Sequence, residues 1–310
     1  MRIGLLLAAS TLLLASCGAE TYTSIREDVS FVATVNQLEP SMTFFNDDLH
    51  AVATWAFDEA YSGATLVDND TIALYGMGVP FVALYHVSTG ELQTKLETGV
   101  GVTNVIAGDD ELYVANKEQN TVSAFSFSGE QLRDVVVGNY PLSMAYADDT
   151  LYVLNFKSDY LSVIEAKTFH EVAQWQIPRS SNGIVVNEET NTLWIGGHGD
   201  HTSNDQVLVI DRKTGSIKQT LQAPQMPVAL AQHDDEISVI SHGSNTLHRF
   251  TKDGKAIDTL EIGANPFSVA YFNDAIVTAG YDDHTLYVVD GEQVRAYDTG
   301  EGPFQLVIRE

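Results

Sequence analysis

At 310 residues the chain is long enough for two ordinary domains, although large closed β folds of this length also run as one. With 44% hydrophobic residues and no low-complexity stretch it can bury a sizeable core, which excludes a disordered acidic polymer. Its 16 Lys and Arg against 42 Asp and Glu give a formal charge of −26, a field that repels nucleic acid and anionic lipid surfaces.

The chain opens as a processing signal rather than as structure. Met1-Arg2 is a short basic end, and the apolar run from Ile3 to Leu14 is too short to cross a bilayer as a mature helix. It ends in Leu14-Ala15-Ser16-Cys17, which resembles a bacterial lipobox: Leu at the third place before the cut, two small residues, then the cysteine to be modified. Cys17 is the single cysteine of the chain, so it has no internal disulfide partner, and thioether lipidation accounts for both its presence and its solitude. The resemblance implies a lipoprotein signal peptide over 1–16 and a lipidated polar spacer over 17–28. It also implies an exported protein, membrane-anchored at the cell envelope, "anchored to" rather than spanning the bilayer. Without residues 1–16, 15 bases face 42 acids, a charge of −27.

Three strands are expected next, at Phe31–Val35, Met42–Phe45 and His50–Phe57. From there a repeat takes over. Apolar segments around Ile72, Leu112, Leu151, Leu193, Ile237 and Ile276 recur at spacings of 40, 39, 42, 44 and 39 residues. Each follows an acidic turn, such as Gly108-Asp109-Asp110 or Ala147-Asp148-Asp149. A polar loop, an alternating strand such as Thr121–Ser126, a Gly- or Lys-bearing turn and a last strand such as Ser216–Leu221 complete each unit. Four short strands joined by turn residues make a meander, and a four-stranded sheet repeated at this period points to propeller blades. Six units begin near 62, 99, 138, 178, 223 and 263, and the tail Gly302-Pro303-Phe304-Gln305-Leu306-Val307-Ile308 repeats one further first strand. The expectation is an all-β, seven-bladed β-propeller over 29–310. Its blades are four-stranded and antiparallel, and the last is closed by that C-terminal strand with the three N-terminal ones. An alternative makes Met42–Phe57 the first two strands of a degenerate blade.

The units also carry a family resemblance. Leu112-Tyr113-Val114-Ala115-Asn116 with Thr121-Val122-Ser123, and Leu151-Tyr152-Val153-Leu154-Asn155 with Leu161-Ser162-Val163-Ile164-Glu165, resemble the YVTN repeat. A Gly-x-x-Pro lead-in recurs at Gly138 to Pro141 and Gly263 to Pro266. The likeness covers roughly residues 60 to 310 and bears on architecture more than on function, because that family hosts binding as well as catalysis.

Strand parity divides the loops between two faces. The acidic turns fall on one, with Lys167, Lys213 and Lys252 beside them; Asp-rich tight turns follow from turn chemistry alone. The other face holds the longer, varied loops, and there the candidate ligand-binding residues are Tyr140, Asn155, Arg179, His198, His242 and Tyr281. The stretch His198-Gly199-Asp200-His201-Thr202-Ser203-Asn204-Asp205 coincides with the longest spacing and offers His198, His201 and Asp205 as ligands for zinc or copper.

No nucleophile elbow, phosphate-cradling glycine loop or haem-attachment motif occurs, and no cofactor is required by the sequence, although a divalent metal is compatible with it. The chain reads as a ligand- or protein-binding or scaffold module of the cell envelope, partnered by a protein or small molecule and not by nucleic acid. Two alternatives stand beside it. One is a propeller enzyme of lactonase or quinone/metal-dependent dehydrogenase type, with His198 or His242 as base and Arg179 steadying an oxyanion. The other is an envelope metal-binding protein.

Overall fold

The computed structural model describes residues 21–310; the signal peptide expected over 1–16 and Cys17 lie outside the described residues. Among the described residues strand follows strand with no helix between, in seven antiparallel four-stranded sheets. Blade 1 is composite: its innermost strand is the C-terminal Pro303–Arg309, followed outward by Phe31–Asn36, Ser41–Phe45 and Ala51–Ala56. Blades 2 to 7 occupy residues 63–97, 102–136, 141–176, 181–222, 227–261 and 266–298, each laid down from the inside outward. The N-terminal strands therefore add to the closing strand as the first of the two expected arrangements has it, and Met42–Phe57 supplies the third and fourth strands of that blade.

Each innermost strand packs against the innermost strand of the next blade, and the circuit closes from Pro303–Arg309 to Gly63–Leu66. A blade presents two apolar faces, and only a neighbour on each side can cover both. Seven clusters of buried side chains result, one at every joint between blades. Trp194, for example, is fully buried between blades 5 and 6 against Val239 and Phe250. The second strands, such as Thr71–Tyr75, are buried along their whole length, whereas fourth strands such as Gln131–Val136 alternate towards solvent. That difference is the period-2 pattern of a sheet whose outer edge is wet.

The segment before the first strand is packed rather than free. Thr21 bridges Glu91, Tyr22 N–H donates to the Gly90 carbonyl (2.9 Å) and Ile25 N–H to the Val87 carbonyl (2.9 Å). The Tyr22 ring stacks on Trp55 at 4.8 Å between centroids and meets Phe57 and Tyr85 as well, while Ile25 is buried. From residue 21 the expected spacer is thus a strap across the joint of blades 1 and 2.

The acidic turns share one face, as contacts between successive blades show. Tyr146 hydroxyl donates to Asp109, Arg212 to Asp148, Lys252 to Glu189, and Asn273 to Asp47. Each of these contacts joins a donor to an acidic turn of a neighbouring blade.

Candidate functional site: an aromatic belt around the channel mouth

The axis of the ring is a channel with a cavity of about 370 Å³, lined from the innermost strands of six blades and, in blade 2, by Ser62, Tyr75 and Met77. Its wall is apolar or neutral. Leu142, Ile184, Leu230 and Val269 alternate with Asn104, Ser143, Asn182, Ser268 and Gln305, and no charged side chain lines it among the described residues. Most of these polar groups stitch one blade to the next. Ser143 Oγ donates to Asn182 Oδ1 (2.6 Å), Met144 N–H to Asn104 Oδ1 (3.2 Å) and Ala64 N–H to Gln305 Oε1 (3.0 Å). Ser268 Oγ is the exception, buried with no hydrogen-bond partner.

On the face opposite the acidic turns, aromatic side chains run around the channel mouth in an unbroken sequence of contacts. Tyr140 hydroxyl reaches Met77 Sδ at 3.9 Å, and its ring lies 5.8 Å from Phe156. Phe156 meets His198 at 5.7 Å, His198 meets His242 at 5.1 Å, and His242 meets Phe267 at 4.8 Å. Phe267 then touches Tyr281 at 5.7 Å and Phe304 at 5.1 Å. Met77, Phe267 and Phe304 also line the channel cavity, so belt and channel are one space. Three of these ring contacts, Phe156 with His198, His198 with His242 and Phe267 with Tyr281, are edge-on, a favourable geometry for rings, and the others are tilted.

Backbone chemistry places the members. Tyr140 follows the left-handed turn region itself (φ 60°), held by its own N–H to Asn120 Oδ1 (2.9 Å), while Phe156 N–H donates to the Tyr140 carbonyl (2.8 Å). Phe267 and Phe304 each follow a proline that opens an innermost strand, the point at which the chain turns down into the channel. Tyr140, His198, His242, Phe267, Tyr281 and Phe304 are all half-buried, with part of each ring left to contact a ligand.

The two histidines form an unusual pair. His242 Nδ1 lies 3.0 Å from Asn265 Oδ1, and as donor there it leaves Nε2 an acceptor; that Nε2 is buried without a partner, as is His198 Nδ1. Burial, with the His242 ring beside it, lowers the His198 pKa to about 4, so its imidazole is neutral across the physiological range.

The other expected residues lie elsewhere. Asn155 is buried inside blade 4, where Nδ2 donates to Ser162 Oγ (2.9 Å) and to the Tyr160 carbonyl (3.3 Å). Arg179, His201 and Asp205 line a separate hollow of about 510 Å³ beside blade 5, and His198 is not among its walls. The loop doubles back at Gly199, where a Cβ would lie 2.1 Å from the Thr202 carbonyl oxygen, and Asn204 clips it through N–H to the His198 carbonyl (2.8 Å). This turn carries His201 outward; its side chain is 94% exposed, beside Asp200. His198, His201 and Asp205 are therefore not gathered on one point, and no group of three His, Cys, Asp or Glu among the described residues is placed to hold a metal ion.

Phe156, Phe267, Phe304 and Met77 were not among the residues expected from sequence. The repeated Pro-Phe pairs, Pro266-Phe267 and Pro303-Phe304, are the signal that would have found two of them.

The comparisons with known proteins agree with this architecture. The chain is similar to a functionally unknown protein from Desulfotomaculum acetoxidans, with a TM-score of 0.77 at 10% identity, covering 90% of this chain and 98% of that one. It is similar to hydrazine synthase from Kuenenia stuttgartiensis (TM-score 0.75, 13% identity, 93% and 99% covered). It is also similar to virginiamycin B lyase from Staphylococcus aureus (TM-score 0.68, 14% identity, 84% and 92% covered). The likeness is one of fold. No family model matches the chain, and no curated protein matches its sequence.

Proposed function

We propose that the protein is an exported, lipid-anchored β-propeller of YVTN type that binds a small molecule at the channel mouth of its loop face. The observation that carries the binding role is the belt from Met77 through Tyr140, Phe156, His198, His242 and Phe267 to Phe304, opening on a channel wall without charge. A concave, mostly apolar site with a few convergent polar groups is what a ligand pocket needs. The anchoring rests on the Leu14-Ala15-Ser16-Cys17 lipobox and on the solitude of Cys17.

Two measurements test the two halves. The neutral fluorophore N-phenyl-1-naphthylamine binds saturably at one site, and replacing Phe267 and Phe304 together by Ala abolishes that binding; indifference to the double variant rejects the site. Cys17→Ala moves the protein from the membrane fraction to the soluble one, and unchanged partition rejects the anchor.

One observation favours a second reading, hydrolysis of a lactone or ester. The neutral His198 imidazole and the bare His242 Nε2 are acceptors facing no protein donor. An unaltered rate in His198→Ala and His242→Ala proteins, on any lactone the protein turns over, rejects it.

A further inference from the structure

In a chain with far more acids than bases, two ammonium groups meet at the rim of the belt instead of at carboxylates. Lys117 Nζ lies 5.0 Å from the centre of the Tyr140 ring and Lys157 Nζ 4.8 Å from the same centre, so the two charges are within about 10 Å of each other. They come from the corresponding loops of neighbouring blades 3 and 4, each between the second and third strand. Lys157 makes no ion pair among the described residues. Lys117 has only Glu118, at 3.6 Å, with the carboxylate 61% exposed and free to swing away. The bases of the opposite face are occupied more closely: Lys252 sits 2.5 Å from both Glu189 and Asp235, Lys167 2.6 Å from Asp149, and Arg212 2.9 Å from Asp148.

Two like charges held over one ring repel each other, and the ring offsets only part of that. An anion between them relieves the repulsion, and Tyr140 is itself a member of the belt. We infer that the ligand of the channel mouth is an anionic amphiphile: a planar, apolar body received by the belt and the neutral channel, with one carboxylate, sulfonate or phosphate held by Lys117 and Lys157 at the Tyr140 edge. The inference rests on the binding role proposed above. It also explains how an acidic protein accepts an anion, because the attraction is local and the channel wall adds no opposing carboxylate.

A matched pair of probes tests it on the intact protein. 1-Anilinonaphthalene-8-sulfonate and N-phenyl-1-naphthylamine share one aromatic body and differ by the sulfonate. Lys117, whose side chain is 20% exposed, and the exposed Lys157 are replaced together as Lys117→Gln and Lys157→Gln, changes that keep the length and polarity of the side chains close to the original. The expected result is a tenfold or larger loss of affinity for the sulfonate, with added salt weakening sulfonate binding in the wild type but not in the variant, and with the neutral dye held within twofold. Equal affinity for the sulfonate before and after substitution overturns the inference while leaving the mouth as a binding site, provided Phe267→Ala still weakens both dyes. An equal loss for both dyes in the lysine variant also overturns it, since the lysines would then shape the site without reading charge. If neither dye responds to Phe267→Ala with Phe304→Ala, the binding site itself is rejected.

Discussion

The imidazole of His198 meets that of His242 nearly edge-on, with ring centroids 5.1 Å apart and planes inclined at 67°. The two come from equivalent loops of blades 5 and 6, forty-four residues apart in sequence, and the packing of one blade on the next brings them together.

That contact has a consequence in pH. The folded pKa of His198 is lowered from 6.5 to about 4, whereas the unfolded side chain keeps the ordinary value. Between about pH 6.5 and 4 the unfolded chain binds a proton that the folded chain refuses, so stability falls as pH drops through this window and the loss levels off below it. Partial exposure of the ring screens the effect, leaving about 1 kcal/mol between pH 7 and pH 5. In His198→Phe that component disappears. Urea unfolding at the two pH values should show a smaller acid loss for the variant than for the wild type, and identical slopes count against the assignment.

Asn155 separates a structural asparagine from a binding one. It ends the second strand of blade 4, as Asn116 does in blade 3 and Asn36 in blade 1, and in all three the side-chain NH2 donates within its own sheet and the adjoining loops. Asn155→Ala should cost about 1 to 2 kcal/mol of unfolding free energy, read from the urea midpoint, through the lost bonds to Ser162 and Tyr160. Binding of N-phenyl-1-naphthylamine should stay within twofold.

How far the sequence foretold these features follows from what kind of contact each is. The blades were legible because turns such as Ala147-Asp148-Asp149 recur at nearly fixed distances, and because Pro303–Arg309 repeats the pattern of a first strand while lacking the three that should follow. Half of the belt was legible, since Tyr140, His198, His242 and Tyr281 stand out in polar loops. Phe267 and Phe304 were hidden by their strand context, where an aromatic residue signals packing. The metal set failed to assemble because the reversal at Gly199 decides where His201 points, and spacing along a loop does not encode such a reversal. Tyr22 and Ile25 were masked by the polar company they keep, although they are the residues that fix the strap.

Salt should stabilise the fold. Surface pairs such as Lys167 with Asp149 weaken with ionic strength, but each exposed pair contributes little, while a formal charge of −26 repels itself throughout. Screening of the larger, repulsive sum wins. Raising NaCl from about 10 mM to about 200 mM, which shortens the Debye length from about 30 Å to under 10 Å, should raise the melting temperature. A fall on calorimetry would mean that the inter-blade pairs of the acidic face outweigh the net repulsion.

Arg309 is the strongest test of how the ring is fastened. It lies in the closing strand, 2% exposed, with its guanidinium 4.5 Å from the centre of the Phe31 ring. Its nitrogens donate to the carbonyls of Val29 (2.7 Å), Arg26 (2.6 Å) and Asn69 (3.2 Å), so one side chain joins the strap, the closing blade and blade 2. A planar group with five donors can satisfy three carbonyls at once, and an ammonium at the same place cannot reach them all. Arg309→Met should therefore strand buried carbonyls and cost about 3 kcal/mol, with Arg309→Lys only partly better because it keeps the buried charge with fewer bonds to support it. The readouts are the urea midpoint and the rate of tryptic cleavage after Arg26, whose carbonyl Arg309 holds in place. Cleavage tracks local opening, so a faster cut at Arg26 with little change in global unfolding would place Arg309 in the strap alone, whereas a parallel loss of both makes the strap part of the ring's closure.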